Sequence, residues 1–265
     1  TSIENDGINW VSVTSFIGNF KQPFDAPTQA LKSSKNRKSK WYKMPVEEIL
    51  NAWKSESKRA TDLGTWYHNQ RERDICELNS IERFGKEISV FRPIETNGVK
   101  YAPEQKLEDG IYPEHMVYLK SAGICGQSDL VEIINGNVHI TDYKTNKEIK
   151  TVGFKNWEGI TTRMSSPVNN LDDCSLNHYA LQLSIYMYII LRHNPKLKAG
   201  ELTINHIVFE EVGRDKYDNP ISARDSNGDP IVKQIITYKL PYLKAEVLNL
   251  MTWLKDNRSK LKSKN

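Results

Sequence analysis

The feature that most constrains the fold is an Asn-Gly pair between two runs rich in β-branched residues, within Gly126 to Asn146. This pattern is typical of a β-hairpin. If Asn135-Gly136 forms the turn, Asp129 lies opposite Asp142; if the turn moves on by one residue, Asp129 lies opposite Lys144. Because side chains alternate along a strand, both registers place these three charged residues on one face of the hairpin.

The rest of that face is apolar and belongs against a core; it consists of Val131, Ile133, Val138 and Ile140. Charged groups there are costly to desolvate unless they are paired or bind a metal, and like charges on facing strands repel. A divalent cation between Asp129 and Asp142 would remove the conflict, because Mg²⁺ prefers carboxylate oxygens. A structural salt bridge from Lys144 to either aspartate explains the hairpin equally well.

The hairpin resembles the signature of the PD-(D/E)xK nuclease superfamily. Gly126-x-x-Asp129 precedes Asp142-x-Lys144, with Ser128 where the pattern often has proline. The resemblance implies an α/β fold with a PD-(D/E)xK restriction-endonuclease-like core, in which helices flank a central mixed β-sheet.

Two further motifs make the resemblance specific. Gly64-Thr-x-x-His68 lies upstream and Gln182-x-x-x-Tyr186 lies downstream, in the order found in RecB-like exonucleases. The similarity spans residues 68–186, and a weaker likeness to phage-encoded members reaches the N-terminus. A helical histidine is more often structural than a ligand, and Gln182 with Tyr186 could equally form a buried network without a ligand.

The resemblance implies a metal-dependent deoxyribonuclease that hydrolyses DNA phosphodiester bonds with Mg²⁺ or Mn²⁺. Asp129 and Asp142 would hold the cation, joined by His68 and the backbone carbonyl of Tyr143. Glu114, on the strand before the hairpin, is a further candidate ligand, and its neighbour His115 should point to the opposite face.

The same resemblance assigns the remaining catalytic roles. Lys144 would orient the attacking water and stabilise the developing negative charge. Gln182 and Tyr186 would position the nucleic-acid backbone or the lysine. Gly64 inside a helix is unfavourable by about 1 kcal/mol relative to alanine, which indicates close approach of another segment to that helix face.

An exonuclease of DNA recombination, repair or phage DNA processing is favoured only by the resemblance, which also suggests a recombination or helicase protein as a partner. Two alternatives stay open. One is an RNA endonuclease with the same site, and the other is a catalytically silent nucleic-acid-binding or scaffold protein that keeps the fold. The presence of Asp129, Asp142 and Lys144 together weighs against the silent protein.

Composition adds a few limits. Three cysteines cannot supply the four ligands of the iron–sulfur cluster found in some RecB-like nucleases, so we expect none. The net charge of +4 is compatible with nucleic acid but does not require it. We expect no membrane association and a cytoplasmic location, in the host cell if the chain is phage-encoded, since no apolar run approaches bilayer length.

The 265 residues fit one nuclease domain. We expect a basic and helical extension over residues 1–59, a catalytic core over 60–210 and a hairpin with a C-terminal helix over 211–265. The core would contain an insertion loop over 148–175, which is either a lid or binding loop next to Lys144 or a disordered insertion.

Basic and aromatic side chains that could contact nucleic acid lie mainly in the extension. They are Lys38, Lys40, Trp41 and Lys43, with Arg163 in the insertion loop. Lysine can neutralise phosphate and tryptophan can stack on bases. The alternative is a solvated loop.

Periodicity predicts the other elements. Trp10–Ile17 resembles a short strand or turn-anchored segment. One helix should begin at Pro45 and a second should run from about Ala60 to about Leu78. A strand over Ile111–Leu119, with Pro113 favouring an edge position, should precede the hairpin. The later elements are a largely buried helix over Leu176–His193, strands over Leu202–Glu210 and Ile231–Leu240 joined by a protruding hairpin, and a last helix from Pro241 to about Leu261.

Overall fold

A computed structural model describes residues 7–96, 99–100, 102–156 and 158–258. The helices are α1 (Val13–Gly18), α2 (Ala26–Lys35), α3 (Val46–Cys76), α4 (Ser175–His193) and α5 (Lys244–Asn257). The strands are β1 (Val11–Ser12), β2 (Ser80–Arg83), β3 (Lys86–Ser89), β4 (Glu95–Thr96), β5 (Val99–Lys100), β6 (Gly110–Leu119), β7 (Ile124–Ile134), β8 (Asn137–Lys144), β9 (Lys198–Phe209), β10 (Glu211–Arg214), β11 (Pro220–Ser222) and β12 (Val232–Leu240). Within these described segments, no helix has the length and apolar character needed to cross a bilayer.

A six-stranded mixed sheet forms the centre of the molecule. Its order is β1-β7-β8-β9-β12, and β6 pairs with β7. Strands β1 and β7 are parallel, as are β8 and β9, whereas the remaining pairs are antiparallel. Helices cover both faces, so the predicted α/β architecture with a central mixed sheet flanked by helices is confirmed. The predicted edge position of β6 agrees with its single partner in this sheet.

The β7–β8 hairpin follows the first of the two predicted registers. Asn135 and Gly136 are the turn residues, with φ angles of 51° and 72°, the left-handed region that a type I′ turn requires. Pairing runs from Ile134 opposite Asn137 to Leu130 opposite Thr141. Both turn N–H groups donate to the carboxylate of Asp109, over 2.9 and 3.0 Å, which stabilises the turn.

One face of the sheet packs against α1, α4 and α5. The predicted core side chains of the hairpin, Val131, Ile133, Val138 and Ile140, are all fully buried there. Helix α4 is apolar on most sides and lies deep in the same core, as predicted. The strand β12, the protruding β10–β11 hairpin and α5 also lie where the sequence predicted them, and residues beyond 258 lie outside the described part.

The opposite face of the sheet packs against α3. Leu63 and Tyr67 contact Tyr143 and Phe209, and further along the helix Ile75 belongs to a cluster with Leu130. Tyr143 and Leu130 alternate with residues of the other face, so the two strands of the hairpin have helices on both sides. The sheet end that carries the charged residues therefore lies between α3 and α4.

The prediction of two separate helices over residues 45–78 was wrong, because α3 is one continuous helix of 31 residues. The residues between the predicted helices contain neither proline nor glycine. They are also linked by side-chain pairs at helical spacing, namely Arg59 with Glu56 over 2.7 Å and Lys58 with Asp62 over 2.7 Å. The helix crosses position 60, which was the expected boundary between extension and core.

The prediction of a strand over Trp10–Ile17 was right only for two residues. Val11 and Ser12 pair with β7, and α1 begins directly afterwards. The Ser12 hydroxyl accepts a hydrogen bond from the Ser15 N–H over 3.1 Å and so caps the helix. Phe16 and Ile17 are buried in the main core, so packing at helical spacing outweighs the β-branched composition.

The insertion after β8 is packed in part against the core. Met164 and Val168 are buried in the main cluster, and the Ser165 N–H donates to the Phe20 carbonyl over 2.8 Å. The alternative of a disordered insertion is therefore wrong for this part of the segment. In contrast, Val152 and Phe154 are 59% and 76% exposed.

Candidate metal centre

Helix α3 lies against the end of β8 because two small residues face that strand. The Thr145 hydroxyl donates to the Ala60 carbonyl over 3.1 Å. A Cβ atom at Gly64 would lie 3.1 Å from the same hydroxyl oxygen, so a larger residue would require the Thr145 side chain to shift. The predicted close approach at Gly64 is confirmed, and one turn further on the same face carries His68.

The His68 ring lies between two oxygen acceptors. Its Nε2 is 3.1 Å from the Tyr143 carbonyl oxygen, and its Nδ1 is 3.3 Å from an Asp129 carboxylate oxygen. Burial lowers the pKa of His68, but the hydrogen bond and charge of Asp129 more than offset this, so the pKa lies above its ordinary value. The site thus favours a positive charge between Asp129 and the carbonyl group.

Asp129 and Glu114 complete a compact group of oxygen and nitrogen ligands with His68. One potential ligand atom from each of these residues lies within 4.8 Å of the other two. Asp129 is held by the Tyr143 N–H, which donates over 2.7 Å, and Glu114 by the Gln127 amide, which donates over 2.8 Å. Glu114 adopts a left-handed φ of 48°, which interrupts the pairing of β6 with β7.

Asp142 and Lys144 form an ion pair beside this group. Asp142 is only 2% exposed and Lys144 is 19% exposed. Burial and the charge of Asp129 raise the pKa of Asp142, while Lys144 and His68 oppose the rise. For Lys144, burial lowers the pKa and the charges of Asp142 and Asp129 raise it, with a net increase.

The predicted salt bridge is therefore formed, but it balances only part of the charge. Asp129, Asp142 and Glu114 supply three carboxylates, and within the described residues at this centre Lys144 and His68 are the groups that oppose them. Burial is the first cause of the raised pKa of Asp142, and the charge of Asp129 adds to it. A hard cation with carboxylate preference fits this donor set.

Helix α4 closes the other side of the centre. The Gln182 amide donates to the Tyr186 hydroxyl over 3.1 Å. Burial raises the pKa of Tyr186, and the charges of Asp142 and Asp129 raise it further. The ring occupies the space that a Cβ atom on Gly126 would need.

Two residues of the centre were absent from the sequence prediction. The Lys144 ammonium lies 5.0 Å from the centre of the Tyr179 ring, and the Tyr179 hydroxyl donates to Asn146 over 2.9 Å. Gln127 orients Glu114. Both were detectable from spacing, since Tyr179 precedes Gln182 by one helical turn and Gln127 shares a strand face with Asp129.

The predicted nucleic-acid residues of the extension lie away from this centre. Trp41 contacts Trp53, with ring centres 6.5 Å apart, and Trp53 precedes His68 by fifteen residues of the same helix. At the usual helical rise this is about 22 Å along the axis. Lys38 and Lys43 are exposed, whereas Lys40 donates to the Tyr217 carbonyl over 3.1 Å and lies over the Trp41 ring.

Arg163 lies elsewhere, in the insertion beside the start of α4. Its backbone forms an isolated antiparallel β-bridge with Asp172. The Asp172 carbonyl accepts a hydrogen bond from the Asn177 side chain of α4 over 2.9 Å. The Arg163 side chain is exposed. The structure therefore separates the predicted basic residues into two places.

No family model and no curated protein matches the chain. A crystal structure of SSO0001 aligns with it at a TM-score of 0.35 and 14% identity, covering 100% of this chain and 81% of that one. Similarity at this level supports no inference about fold family or function.

Proposed function

We propose that this chain is a metal-dependent deoxyribonuclease of the PD-(D/E)xK superfamily and resembles its RecB-like members. The observation that supports this most is the meeting of Asp129, Asp142 and Lys144 with His68 and Glu114 at one end of the β7–β8 hairpin. These are the residues that the sequence motifs single out, although they come from separate parts of the chain. The superfamily assignment, a cytoplasmic location and a recombination or helicase partner rest on the sequence resemblance.

Four groups of this chain are suited to hold Mg²⁺ or Mn²⁺. They are the carboxylates of Asp129, Asp142 and Glu114 and the His68 imidazole, with the Tyr143 carbonyl beside them. When bound, such a cation lowers the pKa of water and neutralises charge on phosphoryl oxygens. His68 must be neutral to become a ligand, and its position between two acceptors keeps the ring oriented for that role.

Lys144 supplies a fixed positive charge at the same place. Its ammonium is held by Asp142 and by the Tyr179 ring, so it is oriented before any substrate arrives. A buried ammonium in this position can donate a hydrogen bond to an attacking water molecule and stabilise negative charge on the phosphoryl oxygens. Because the geometry is set by folding, little reorganisation is needed during the reaction.

Gln182 and Tyr186 act as positioning residues in this proposal. The buried Tyr186 hydroxyl accepts the Gln182 hydrogen bond and so orients the partly buried Gln182 side chain, which would contact the nucleic-acid backbone. The close packing of its ring on Gly126 fixes that hydroxyl relative to β7.

The first test is digestion of matched linear and covalently closed circular DNA with Mg²⁺ or Mn²⁺. We expect loss of linear DNA only, as for an exonuclease, and no digestion by Lys144→Ala. Lys198→Ala is a matched control, because Lys198 is exposed and pairs with Asn137 at the far end of β8, about 23 Å from Lys144. Cleavage that survives in Lys144→Ala would refute the assigned site.

RNA is the second candidate substrate, and the presence of His68 in the centre favours it, since some viral RNA endonucleases use a similar histidine, acidic and lysine set. DNA and RNA strands of the same sequence, each in single-stranded and duplex form, separate the two. A protein that melts at a higher temperature with Mn²⁺ but cleaves neither nucleic acid would be the silent binding protein instead.

A further inference from the structure

A cavity of about 480 Å³ opens beside the candidate metal centre. It lies on the outer side of β6, between that strand and the segments around residues 91–94 and 103–108. Glu114 and Gln127 belong to its wall, and Glu114 is also part of the metal-ligand group. An occupant of the cavity would therefore lie one side chain away from the reacting phosphate. The volume of the cavity is within the range of small-ligand sites.

An aromatic pair forms one wall of this cavity. The rings of Phe91 and Tyr112 are stacked, with centres 4.9 Å apart and planes inclined by 10°. Phe91 lies over Gly110, where a Cβ atom would collide with the ring. Tyr112 is nearly buried, whereas Phe91 remains 37% exposed. One face of the Phe91 ring is covered by Tyr112, and Phe91 also lines the cavity, where a planar partner could stack on it or meet its edge.

The charges of the wall do not suit an anionic occupant. Three glutamates, Glu104, Glu108 and Glu114, line the cavity together with the cations Arg92 and Lys106. The Arg92 guanidinium is already engaged, since it donates to the Cys76 and Leu78 carbonyls and to the Asn79 amide oxygen. A phosphate would meet an excess of carboxylates, whereas a neutral group with N–H donors would find acceptors.

We propose that this cavity binds one unpaired nucleobase of the strand whose phosphate lies at the metal centre. The base stacks on Phe91, and its polar edge faces Glu104, Glu108 and the Gln127 side chain. This inference rests on the proposed nuclease function and adds to it a substrate requirement, because a base can enter the cavity only after leaving the duplex stack. The enzyme then prefers frayed or single-stranded ends.

Abasic substitution tests the cavity through the substrate. Each oligonucleotide carries a single tetrahydrofuran abasic nucleotide at one of the three positions on either side of the scissile phosphate. The rate of cleavage by the native protein is measured for each position. Because stacking of a base on an aromatic ring contributes strongly to binding, we expect one position to lower kcat/KM by roughly tenfold or more, with the neighbouring positions nearly unaffected. Equal rates at all positions would overturn the inference while leaving the nuclease proposal intact.

A binding measurement gives a result that does not depend on cleavage. In EDTA, 2-aminopurine at the same position of a single-stranded oligonucleotide should lose fluorescence on binding to the native protein, because stacking in the cavity quenches it. Phe91→Ala should abolish the quenching and Phe91→Trp should keep it. Phe84→Ala is the matched control, since Phe84 is 82% exposed and lies outside the cavity wall.

The outcomes separate the two proposals. Quenching that depends on Phe91 in a protein that cleaves no nucleic acid would support the cavity and refute the chemistry. Cleavage with quenching that is unchanged in Phe91→Ala would support the chemistry and refute the cavity. Absence of both cleavage and quenching would refute both.

Discussion

At the scale of single residues, Gly126 shows how the motif and the fold depend on each other. The Tyr186 ring fills the space beside its Cα atom, and a Cβ atom there would overlap the ring. We expect Gly126→Ala to displace Tyr186, lower the free energy of unfolding by ~1–3 kcal/mol through overpacking and reduce any nuclease activity. Urea denaturation with an activity assay measures both effects.

Gly213→Ala provides the comparison for this prediction. Gly213 also lies in a strand, but a Cβ atom there has open space around it. Its stability should change by no more than ~0.5 kcal/mol, as for other surface substitutions. If Gly126→Ala is as stable as Gly213→Ala, the close contact with Tyr186 is not as described.

His115 provides a pH-dependent prediction. It is 5% exposed, and burial lowers its pKa from the ordinary 6.5 to about 4. Between these values the unfolded chain binds a proton that the native protein does not, so stability falls as the pH drops from 6.5 toward 4. The loss attributable to this residue is at most ~3 kcal/mol.

The measurement is the free energy of unfolding at pH 7.5 and pH 5.0 for the native protein and His115→Leu. The variant should lose less stability than the native protein on acidification. His139→Leu is a useful control, because His139 lies on β8 and is partly exposed. Equal losses in the native protein and His115→Leu would show that His115 is not buried in the neutral form.

The residues of the candidate site could be selected from the sequence because their spacing is local. Asp142 and Lys144 are two positions apart on a strand, and Gln182 and Tyr186 are one turn apart on a helix. The hairpin registers placed Asp129 on the same face as Asp142 and Lys144, whereas the meeting of these residues with His68 and Gln182 was inferred from the resemblance alone. The role of Glu114 was less predictable, since its left-handed φ breaks the alternation on which the sequence argument relied.

At the scale of elements, α3 is the segment that places His68 against the hairpin. The continuity of this helix through residues 54–59 is testable. Ser57→Pro should lower the free energy of unfolding by ~3 kcal/mol or more, because proline removes a helical hydrogen bond and clashes with the preceding turn. Since Ser57 is exposed, Ser57→Ala should leave the free energy of unfolding unchanged or raise it slightly. Helix content by circular dichroism and thermal melting report the difference. A Ser57→Pro protein as stable as Ser57→Ala would indicate a break in the helix at this position.

The elements that were predicted correctly have signals within their own sequence. The β7–β8 hairpin has a turn dipeptide between alternating runs, and α4 has an apolar pattern of helical period. The errors arose where tertiary contacts determine which secondary structure a segment adopts. Trp10–Ile17 has strand-like composition, yet Phe16 and Ile17 pack into the core as a helix. The polar middle of α3 has no apolar period to indicate that the helix continues.

At the scale of the whole molecule, the residues of the candidate metal centre come from β6, β7, β8 and α3, so a cation bound there should stabilise the entire fold. A ligand that binds only the native state contributes about 2.7 kcal/mol at a hundredfold excess over its Kd. We expect Mn²⁺ to raise the Tm of the native protein relative to EDTA and to have much less effect on Asp129→Asn. Asp62→Asn, on the exposed side of α3, should respond like the native protein. An equal Mn²⁺ response in Asp129→Asn would contradict the assigned ligands.

The mixed sheet and its flanking helices were predictable as an architecture from the order of strand, hairpin, buried helix and strand, together with the resemblance. The placement of the basic residues was not. Trp41 contacts Trp53, and Lys40 donates to Tyr217 in the turn between β10 and β11, so these positions depend on contacts between segments far apart in sequence. A nucleic acid that reaches both this region and His68 would need to span about 22 Å along α3.

The most direct test of the account is the rate of Mn²⁺-dependent hydrolysis of linear DNA by the native protein, Asp142→Asn, Lys144→Ala and the double variant. Each single substitution should lower the rate by at least ~10³-fold with the protein still folded, and the double variant should be little worse, because groups that act as a unit are not additive. Lys198→Ala should retain the native rate. Substantial hydrolysis by Asp142→Asn would contradict the central claim that the end of the β7–β8 hairpin is the catalytic metal site.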